Sequence, residues 1–214
     1  MDKQEISNRE KLFAKFLAKE DEASFEMHKN KKTELFKNVR GIVVEIGPGT
    51  GVNFPFFDAN KVTWIGIEPN AAMHPFLQKN ARDHGLEIKI KNNRTENLSI
   101  ESSSVDFVIS SEVLCSVNNL TESLNEIRRI LKPNGKFLFL EHVADKISFR
   151  WLVQKIVPFT PWRYFSDGCN PGRYIGKAIE SNGFKSVKYT KYMQAGKGII
   201  LSINRPHIYG EAVK

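Results

Sequence analysis

Gly41-Ile-Val-Val-Glu-Ile-Gly-Pro-Gly-Thr-Gly51 is the segment that decides the fold of this chain. Its apolar, mostly β-branched residues predict a buried strand over residues 41–46, and three glycines at alternate positions predict a tight turn after it. Glycine permits positive φ and has no Cβ to keep a ligand away from the backbone. Because open α/β sheets bind ligands at the carboxyl ends of their strands, we expect a ligand site at this turn.

The glycine spacing differs from that of a dinucleotide-binding loop. The G-x-G-x-x-G fingerprint requires its third glycine at position 52, where this chain has Val52. Glu45, at the end of the strand, would repel a pyrophosphate but attract a cation. A ligand that carries an ammonium and a sulfonium group suits this loop, and S-adenosyl-L-methionine is such a ligand.

Strands and helices alternate along most of the chain. Further strands are predicted over residues 62–67, 87–91, 105–109, 136–140, 184–192 and 206–213. Helices are predicted over residues 2–20, 22–38, 71–84, 120–131 and 171–182, with a helix or short turn over residues 52–58. This order predicts an α/β fold with a doubly wound, mostly parallel sheet and helices on both faces.

We expect a single domain, because 214 residues are enough for one complete core. Within it we distinguish an N-terminal helical lid (1–38), a cofactor-binding core (39–144), a substrate-cover insertion with a helix (145–182) and C-terminal strands (183–214). The insertion is rich in aromatic residues and contains Pro158, Pro161 and Pro171. A simple hydrophobic flank is the alternative interpretation of that insertion.

Composition favours a cytoplasmic protein without a nucleic-acid partner. The net charge is +8, but the basic residues are scattered among acidic ones, which is typical of a solvated surface. No apolar run approaches the ~20 residues of a membrane span, and no signal peptide is apparent. Peripheral contact with a membrane through the first helix is an open alternative. Cys115 and Cys169 have no metal-ligand spacing, so we expect a reducing compartment and no metal site.

Two further segments carry the expected chemistry. Glu68 ends the second strand about 20 residues after the first glycine, where a carboxylate can hold the hydroxyls of a ribose. The polar loop over residues 92–98 should lie beside an adenine. Residues 113–117 follow a central strand at its carboxyl end, so they should line the reaction chamber.

With these features the chain resembles the class I S-adenosylmethionine-dependent methyltransferases. The matching segments are residues 45–51, Glu68, residues 95–98 and residues 131–135. The segments 113–117, 141–143, 167–170 and 205–214 resemble the methyltransferase-like subgroup that methylates alkyl thiols. This resemblance implies a seven-stranded sheet with an antiparallel last strand. It also implies S-adenosyl-L-methionine as cofactor, S-adenosyl-L-homocysteine as product, a small-molecule methyl acceptor, and a monomer or weak dimer.

The resemblance also implies a set of cofactor-binding residues. They are Glu45, Gly47, Pro48, Gly49, Gly51, Asn53, Glu68, Pro69, Asn70, Thr95, Glu96, Ser111 and Glu112. For Glu96 the alternative is an acid that caps a turn or helix. For Asn53 the alternatives are a contact with the methionine carboxylate and a cap on the following helix.

A thiol acceptor must lose its proton before it attacks a methyl group. His142, at the end of a strand, is the first candidate for the base, because an imidazole with a pKa of ~6.5 can accept a proton. Asp167 and His207 are the next candidates, and each of the three could instead be structural. Methylation of an amine or of a lipid headgroup is the alternative reaction, with Asp167 and Trp162 as a cation-binding pair. A nucleic-acid methyltransferase and a binding module that has lost turnover are the remaining alternatives.

Overall fold

The computed structural model describes residues 6–146, 148–195 and 199–214. The first predicted helix therefore begins, at residues 2–5, outside the described residues. The strands are β1 Gly41–Ile46, β2 Val62–Ile67, β3 Ile88–Lys91, β4 Val105–Ser111, β5 Leu131–His142, β6 Ser186–Met193 and β7 Pro206–Val213. The helices are α1 Asn8–Phe36, α2 His74–Asp83, α3 Leu120–Ile130, α4 Phe149–Ile156, α5 Trp162–Phe165, α6 Ile175–Ser181 and α7 Ile199–Asn204.

The strands form one seven-stranded sheet in the order β3-β2-β1-β4-β5-β7-β6. Strands β1 to β5 run parallel, and β7 pairs antiparallel with both β5 and β6. The predicted α/β fold with an antiparallel last strand is therefore confirmed. The chain order reverses between β1 and β4, which places the end of β1 at the crevice where such sheets bind ligands.

Alternate residues of the central strands enter two separate cores. Val43 packs with Phe36 of α1 and Leu77 of α2 on one face of the sheet. Val44 packs with Leu124 of α3 and residues of α6 on the other face. Because β1 is buried on both faces, it needs apolar side chains at successive positions, as its sequence shows.

The N-terminal region is one helix rather than the predicted two. Helix α1 runs continuously from Asn8 to Phe36 and contains neither glycine nor proline. Ser7 begins it with a capping box, in which its hydroxyl accepts from the Glu10 N–H and the Glu10 carboxylate accepts from the Ser7 N–H. The two predicted helices were separated at residue 21, but Asp21 lies within the helix and accepts a hydrogen bond from Thr50 of the glycine loop. The charge is therefore used to hold α1 on that loop.

Other boundaries differ by a few residues. Strand β5 begins at Leu131 rather than at residue 136, because Leu131 already pairs with Val105 before residues 132–135 leave the register. The turn there has Asn134 at a φ of 63°, a left-handed conformation that asparagine tolerates. The insertion contains α4 and α5, and α7 was not predicted at all. Among the described residues, no helix combines the length and the apolar composition that crossing a bilayer requires.

Replacing Gly210 by alanine should destabilise the sheet strongly. Its new Cβ would lie 2.1 Å from the carbonyl oxygen of Lys188 and 2.6 Å from Tyr189, so β6 and β7 would have to separate. We expect a loss of about 3 kcal/mol or more, the upper range for overpacking. Gly85→Ala is the matched control, because no atom lies within 4 Å of that Cβ and only its φ of 67° is strained; its cost should be about 1–2 kcal/mol. Urea unfolding followed by circular dichroism measures both, and equal losses would contradict the packing account.

Candidate active site

The candidate site lies at the carboxyl ends of the central strands, where α1 covers the glycine loop. Gly47, Gly49 and Gly51 have φ angles of 57°, 57° and 93°. A Cβ on Gly47 would lie 2.7 Å from Val113, and one on Gly51 would lie 2.5 Å from Phe54. A Cβ on Gly49 would have no neighbour closer than 3.8 Å. The space beside Gly49 is therefore open to a ligand, whereas its two neighbours are glycines because the protein itself approaches them.

Glu45 is buried at the end of β1, and its carboxylate is bonded within the protein. It accepts hydrogen bonds from Asn53 Nδ2 at 2.6 Å and from Trp64 Nε1 at 3.1 Å. Burial raises the pKa of the Glu45 carboxyl, although these hydrogen bonds and the nearby Lys32 oppose that shift. Lys32 of α1 is only 1% exposed, so a cation of the protein already faces Glu45. A contact of Glu45 with the cofactor's ammonium stays a prediction.

Glu68 connects the end of β2 to the glycine loop. Its Oε2 accepts a hydrogen bond from the Gly49 N–H at 3.0 Å, and its Oε1 accepts from the Asn70 N–H at 2.9 Å. Burial raises the pKa of the Glu68 carboxyl to about 7, against the effect of these two hydrogen bonds. The structure thus brings Glu68 beside the open space at Gly49, and its charge changes near neutral pH.

The other residues predicted after β2 and β3 lie in different surroundings. Asn70 and Thr95 are buried, and Pro69 is exposed. Glu96 accepts hydrogen bonds from the backbone N–H groups of residues 118 and 119, at 2.6 and 3.0 Å, just before α3. For Glu96 the structure therefore shows the alternative interpretation, that of an acid that caps a turn.

Glu112 lies between two histidines at the end of β4. Its carboxylate accepts a hydrogen bond from His207 Nε2 at 3.1 Å and lies 3.5 Å from His28 Nε2 of α1. Burial opposes ionisation, but the bonds from His207 and His28 hold the pKa of the Glu112 carboxyl well below its usual range. His207 Nδ1 lies 3.0 Å from the carbonyl oxygen of Arg205. Both ring nitrogens of His207 thus lie within hydrogen-bond distance of an oxygen atom.

Cys115, His142 and Cys169 form a buried group next to these histidines. The rings of His142 and His207 have centroids 6.1 Å apart, and Cys169 Sγ lies 3.5 Å from His142 Nε2. A hydrogen bond from Cys169, against burial, holds the pKa of the Cys115 thiol well below its usual range. Burial disfavours a charged imidazole, but the Cys115 thiolate raises the pKa of His142 to about 9. The direction of this shift favours a protonated His142 beside the Cys115 thiolate, and the role of His142 as the base stays a prediction.

Asp167 has a φ of 49° and forms an ion pair with Arg9 of α1, with 3.0 Å between its Oδ1 and the guanidinium Nη1. Arg9 also donates a hydrogen bond to the carbonyl oxygen of Tyr164. The carboxylate of Asp167 thus connects the insertion to the N-terminal helix, and its role as a base stays a prediction.

Three features of the site were not predicted from the sequence: the place of His28, the place of Lys32, and the grouping of two cysteines with His142. His28 and Lys32 lie one helical turn apart in α1, and that spacing was the signal that they share a face. The convergence of Cys115, His142 and Cys169 had no such signal, because these residues are 27 positions or more apart. Three potential metal ligands therefore meet where spacing along the chain predicted no metal site.

The site fits the cofactor inferred from the sequence. Among the described residues, the buried Asn53 Oδ1 and Ser111 Oγ have no hydrogen-bond partner. Buried polar atoms are rarely left unpaired, so these two are candidates for contacts with a bound polar ligand. Together with Glu68 and the open space at Gly49, they surround the end of β1 from both neighbouring strands.

Comparisons with known proteins agree with this geometry. Residues 44–139 match a protein family described as a methyltransferase domain. Thiol S-methyltransferase TMT1A of Homo sapiens is 36% identical over 95% of this chain and 86% of its own length. Thiol S-methyltransferase TMT1B of Rattus norvegicus is 32% identical over 89% of this chain and 81% of its own length. In fold, the chain is similar to an S-adenosylmethionine-dependent methyltransferase of Thermotoga maritima, with a TM-score of 0.63, 21% identity and coverage of 94% and 98% of the two chains.

Cofactor affinity should rise with pH through neutrality. Ribose hydroxyls donate to a carboxylate, so binding selects ionised Glu68, whose pKa is about 7 in the free protein. The same shift makes the free fold lose stability as pH rises from 4.5 to about 7, because the folded state retains the proton longer than the unfolded state. Calorimetry with S-adenosylhomocysteine at pH 6, 7 and 8 should show tightening that levels off above the pKa.

Glu68→Gln should abolish that pH dependence and weaken binding at pH 8 by about 1.5–3 kcal/mol, the range for charged hydrogen bonds. Glu87→Gln, at an exposed position, is the control and should bind like the unaltered protein. A pH profile that survives in Glu68→Gln would assign the titration to another group.

Proposed function

Because this chain belongs to the class I S-adenosylmethionine-dependent methyltransferases and, within them, to the thiol S-methyltransferase family, we propose that it transfers a methyl group to the sulfur of a small thiol. S-adenosyl-L-methionine supplies an electrophilic methyl group and leaves as a neutral thioether. The protein therefore has to bind the donor, align the acceptor sulfur about 3 Å from the methyl carbon, and exclude water.

For the donor, we propose the glycine loop and the polar residues at the ends of β1, β2 and β4. Glu68 would hold the ribose hydroxyls, and Asn53 and Ser111 would use their unpaired polar atoms on the methionine portion. The complete proposed set is Glu45, Gly47, Pro48, Gly49, Gly51, Asn53, Glu68, Pro69, Asn70, Thr95, Ser111 and Glu112. Glu96 is left out, because its carboxylate caps the turn before α3.

The choice of a thiol as the acceptor rests on one observation, the bonding of the acidic side chains around the chamber. Glu112 is bonded to two histidines, and Asp167 is paired with Arg9. Glu141 is buried and accepts hydrogen bonds from Ser110 and from backbone N–H groups after β4, and burial raises its pKa to about 8. Each of these acids thus has its partners within the protein. A charged amine would lack a counter-ion there, whereas a neutral thiol needs none.

We propose that three residues position other groups rather than accept a proton, namely His142, His207 and Asp167. His142 and the cysteines form the wall that an acceptor sulfur approaches, and His207 holds Glu112 at the end of β4. Asp167 holds the insertion against α1. A small thiol with a pKa near ~8.5 is already partly ionised at neutral pH, so its proton can leave to water before the methyl transfer.

Purified protein given labelled S-adenosylmethionine should methylate small alkyl thiols and release S-adenosylhomocysteine in equal amount. Histamine-like amines and phospholipid headgroups tested in parallel should remain unlabelled. Turnover of an amine or a headgroup but of no thiol would make the alternative reaction correct. Donor binding without product from any acceptor would identify a binding module instead.

We also propose that the protein works in the cytoplasm, as a monomer or weak dimer, in peripheral contact with an anionic membrane surface. The insertion exposes large apolar side chains, with Phe159 90%, Phe149 82% and Phe165 72% accessible. Leu12 and Phe16 of α1 are exposed as well, and α1 is tied to this region through Arg9. The exposed basic residues on these segments include Lys11, Lys15, Lys19 and Arg163. Apolar residues flanked by cations suit the surface of an anionic bilayer.

Vesicle flotation tests this surface. The protein should float with vesicles that contain phosphatidylserine, and binding should weaken at high salt because part of the attraction is electrostatic. The double variant Phe159→Ser/Phe165→Ser should lose most of the binding, while Met193→Ser, an exposed apolar side chain on β6, should keep it. Equal flotation of the two variants, or none with the unaltered protein, would refute the proposed contact.

A further inference from the structure

Three potential metal ligands meet inside the chamber from three different parts of the chain. Cys115 follows β4, His142 ends β5, and Cys169 lies in the loop before α6. All three side chains are buried, with at most 6% exposed. Their ligand atoms lie within 4.8 Å of one another. These are also the only two cysteines of the sequence, so the fold brings every thiol of the protein to one imidazole.

The spacing fits tetrahedral zinc. Zinc binds sulfur at about 2.3 Å and imidazole nitrogen at about 2.0–2.1 Å, so neighbouring ligand atoms in a tetrahedron lie roughly 3.5–3.8 Å apart. The Sγ of Cys169 and the Nε2 of His142 are 3.5 Å apart. This distance already equals the separation of a sulfur and a nitrogen ligand in such a tetrahedron. All the ligand atoms lie within 4.8 Å of one another, so small side-chain movements would bring the remaining pairs to the required separation.

The charge of its ligands distinguishes the cysteine group from the neighbouring group that contains Glu112. His28, Glu112 and His207 could also surround a cation, but there the carboxylate already pairs with both histidines. The cysteine group contains no carboxylate. A divalent cation bound here would be neutralised by the two cysteines in their thiolate form.

We propose that Cys115, His142 and Cys169 bind Zn²⁺ and leave its fourth position to the sulfur of the acceptor thiol. Two cysteines and one histidine with an open position are an established ligand set of catalytic zinc. Within the described residues, no further Cys, His, Asp or Glu belongs to this ligand group. Glu112 and Glu141, the nearby acids, are occupied by their own partners.

The open position deepens the proposed function and rests on it. An acceptor RSH would bind zinc as RS⁻ and release its proton to water. The sulfur then forms a bond to the methyl carbon, while the bond from that carbon to the sulfonium sulfur breaks and leaves its electron pair on the donor. The product RSCH₃ is a neutral thioether, which zinc binds weakly, so it can dissociate. No protein side chain has to accept a proton in this sequence.

The first test is metal binding without turnover. Reduced, metal-free protein should take up one Zn²⁺ per chain in competition with a chromophoric chelator. With Co²⁺ it should give the visible bands of a tetrahedral site and a thiolate charge-transfer band. Removing even one hydrogen-bond partner of a ligand typically costs about 10–100-fold in affinity, so Cys115→Ser/Cys169→Ser should weaken binding by more than about 100-fold. His84→Gln, an exposed histidine after α2, should bind like the unaltered protein.

Binding of S-adenosylhomocysteine by the double variant, measured by calorimetry, shows that it is folded. No stoichiometric metal uptake by the reduced protein, or uptake retained by the folded double variant, would overturn the zinc site. The second test adds a small thiol to the cobalt form, whose spectrum should change as sulfur enters the fourth position. An unchanged spectrum would overturn that role even if zinc binds. Neither test depends on methyl transfer, so failure of the proposed function can be told apart from failure of the metal site.

Discussion

The edge of the sheet that forms the site depends on a buried cation. Lys32 of α1 is buried, and burial lowers the pKa of its ammonium group. The charges of Glu112 after β4, Glu45 in β1 and Asp21 in α1 itself oppose that shift. A charge removed from water is tolerated only when opposite charges compensate it. Lys32 therefore restricts where α1 can lie, and α1 in turn covers the glycine loop. The hydrogen bond from Thr50 to Asp21 and the contact of His28 with Glu112 then follow from the same placement of the helix.

The sheet was largely predictable because its signals are local. Strands β1, β2 and β7 have the predicted bounds, since each is a short run of residues with the burial pattern of a strand between clear turns. The first helix was predicted as two with a boundary at residue 21, whereas in the structure Asp21 lies within one continuous helix and contacts the glycine loop. Helix α7 and the helical part of the insertion depend on tertiary packing, which a periodic pattern does not record.

The residues of the site can also be divided into those that local sequence signals predict and those whose place depends on tertiary packing. Glu68 was predictable from its distance along the chain to the glycine loop, because the strand-turn-helix unit has a nearly constant length. Glu96 was an equally good candidate for a cofactor contact from the sequence. Whether it contacts a ligand or caps a turn depends on where the start of α3 lies in the fold. The group of Cys115, His142 and Cys169 was not predictable from spacing, since its members come together only through the parallel pairing of β4 with β5 and the return of the insertion. Local patterns thus indicate the donor side of the site, while the acceptor side is a product of topology.

The long first helix also links the two sides of the site. The same helix contacts the glycine loop through Asp21, the end of β4 through His28, and the insertion through Arg9. It contains neither the proline nor the glycine at which helices usually kink. A displacement of the helix at the donor side is therefore passed on to the acceptor side, so the two halves of the site share one structural support.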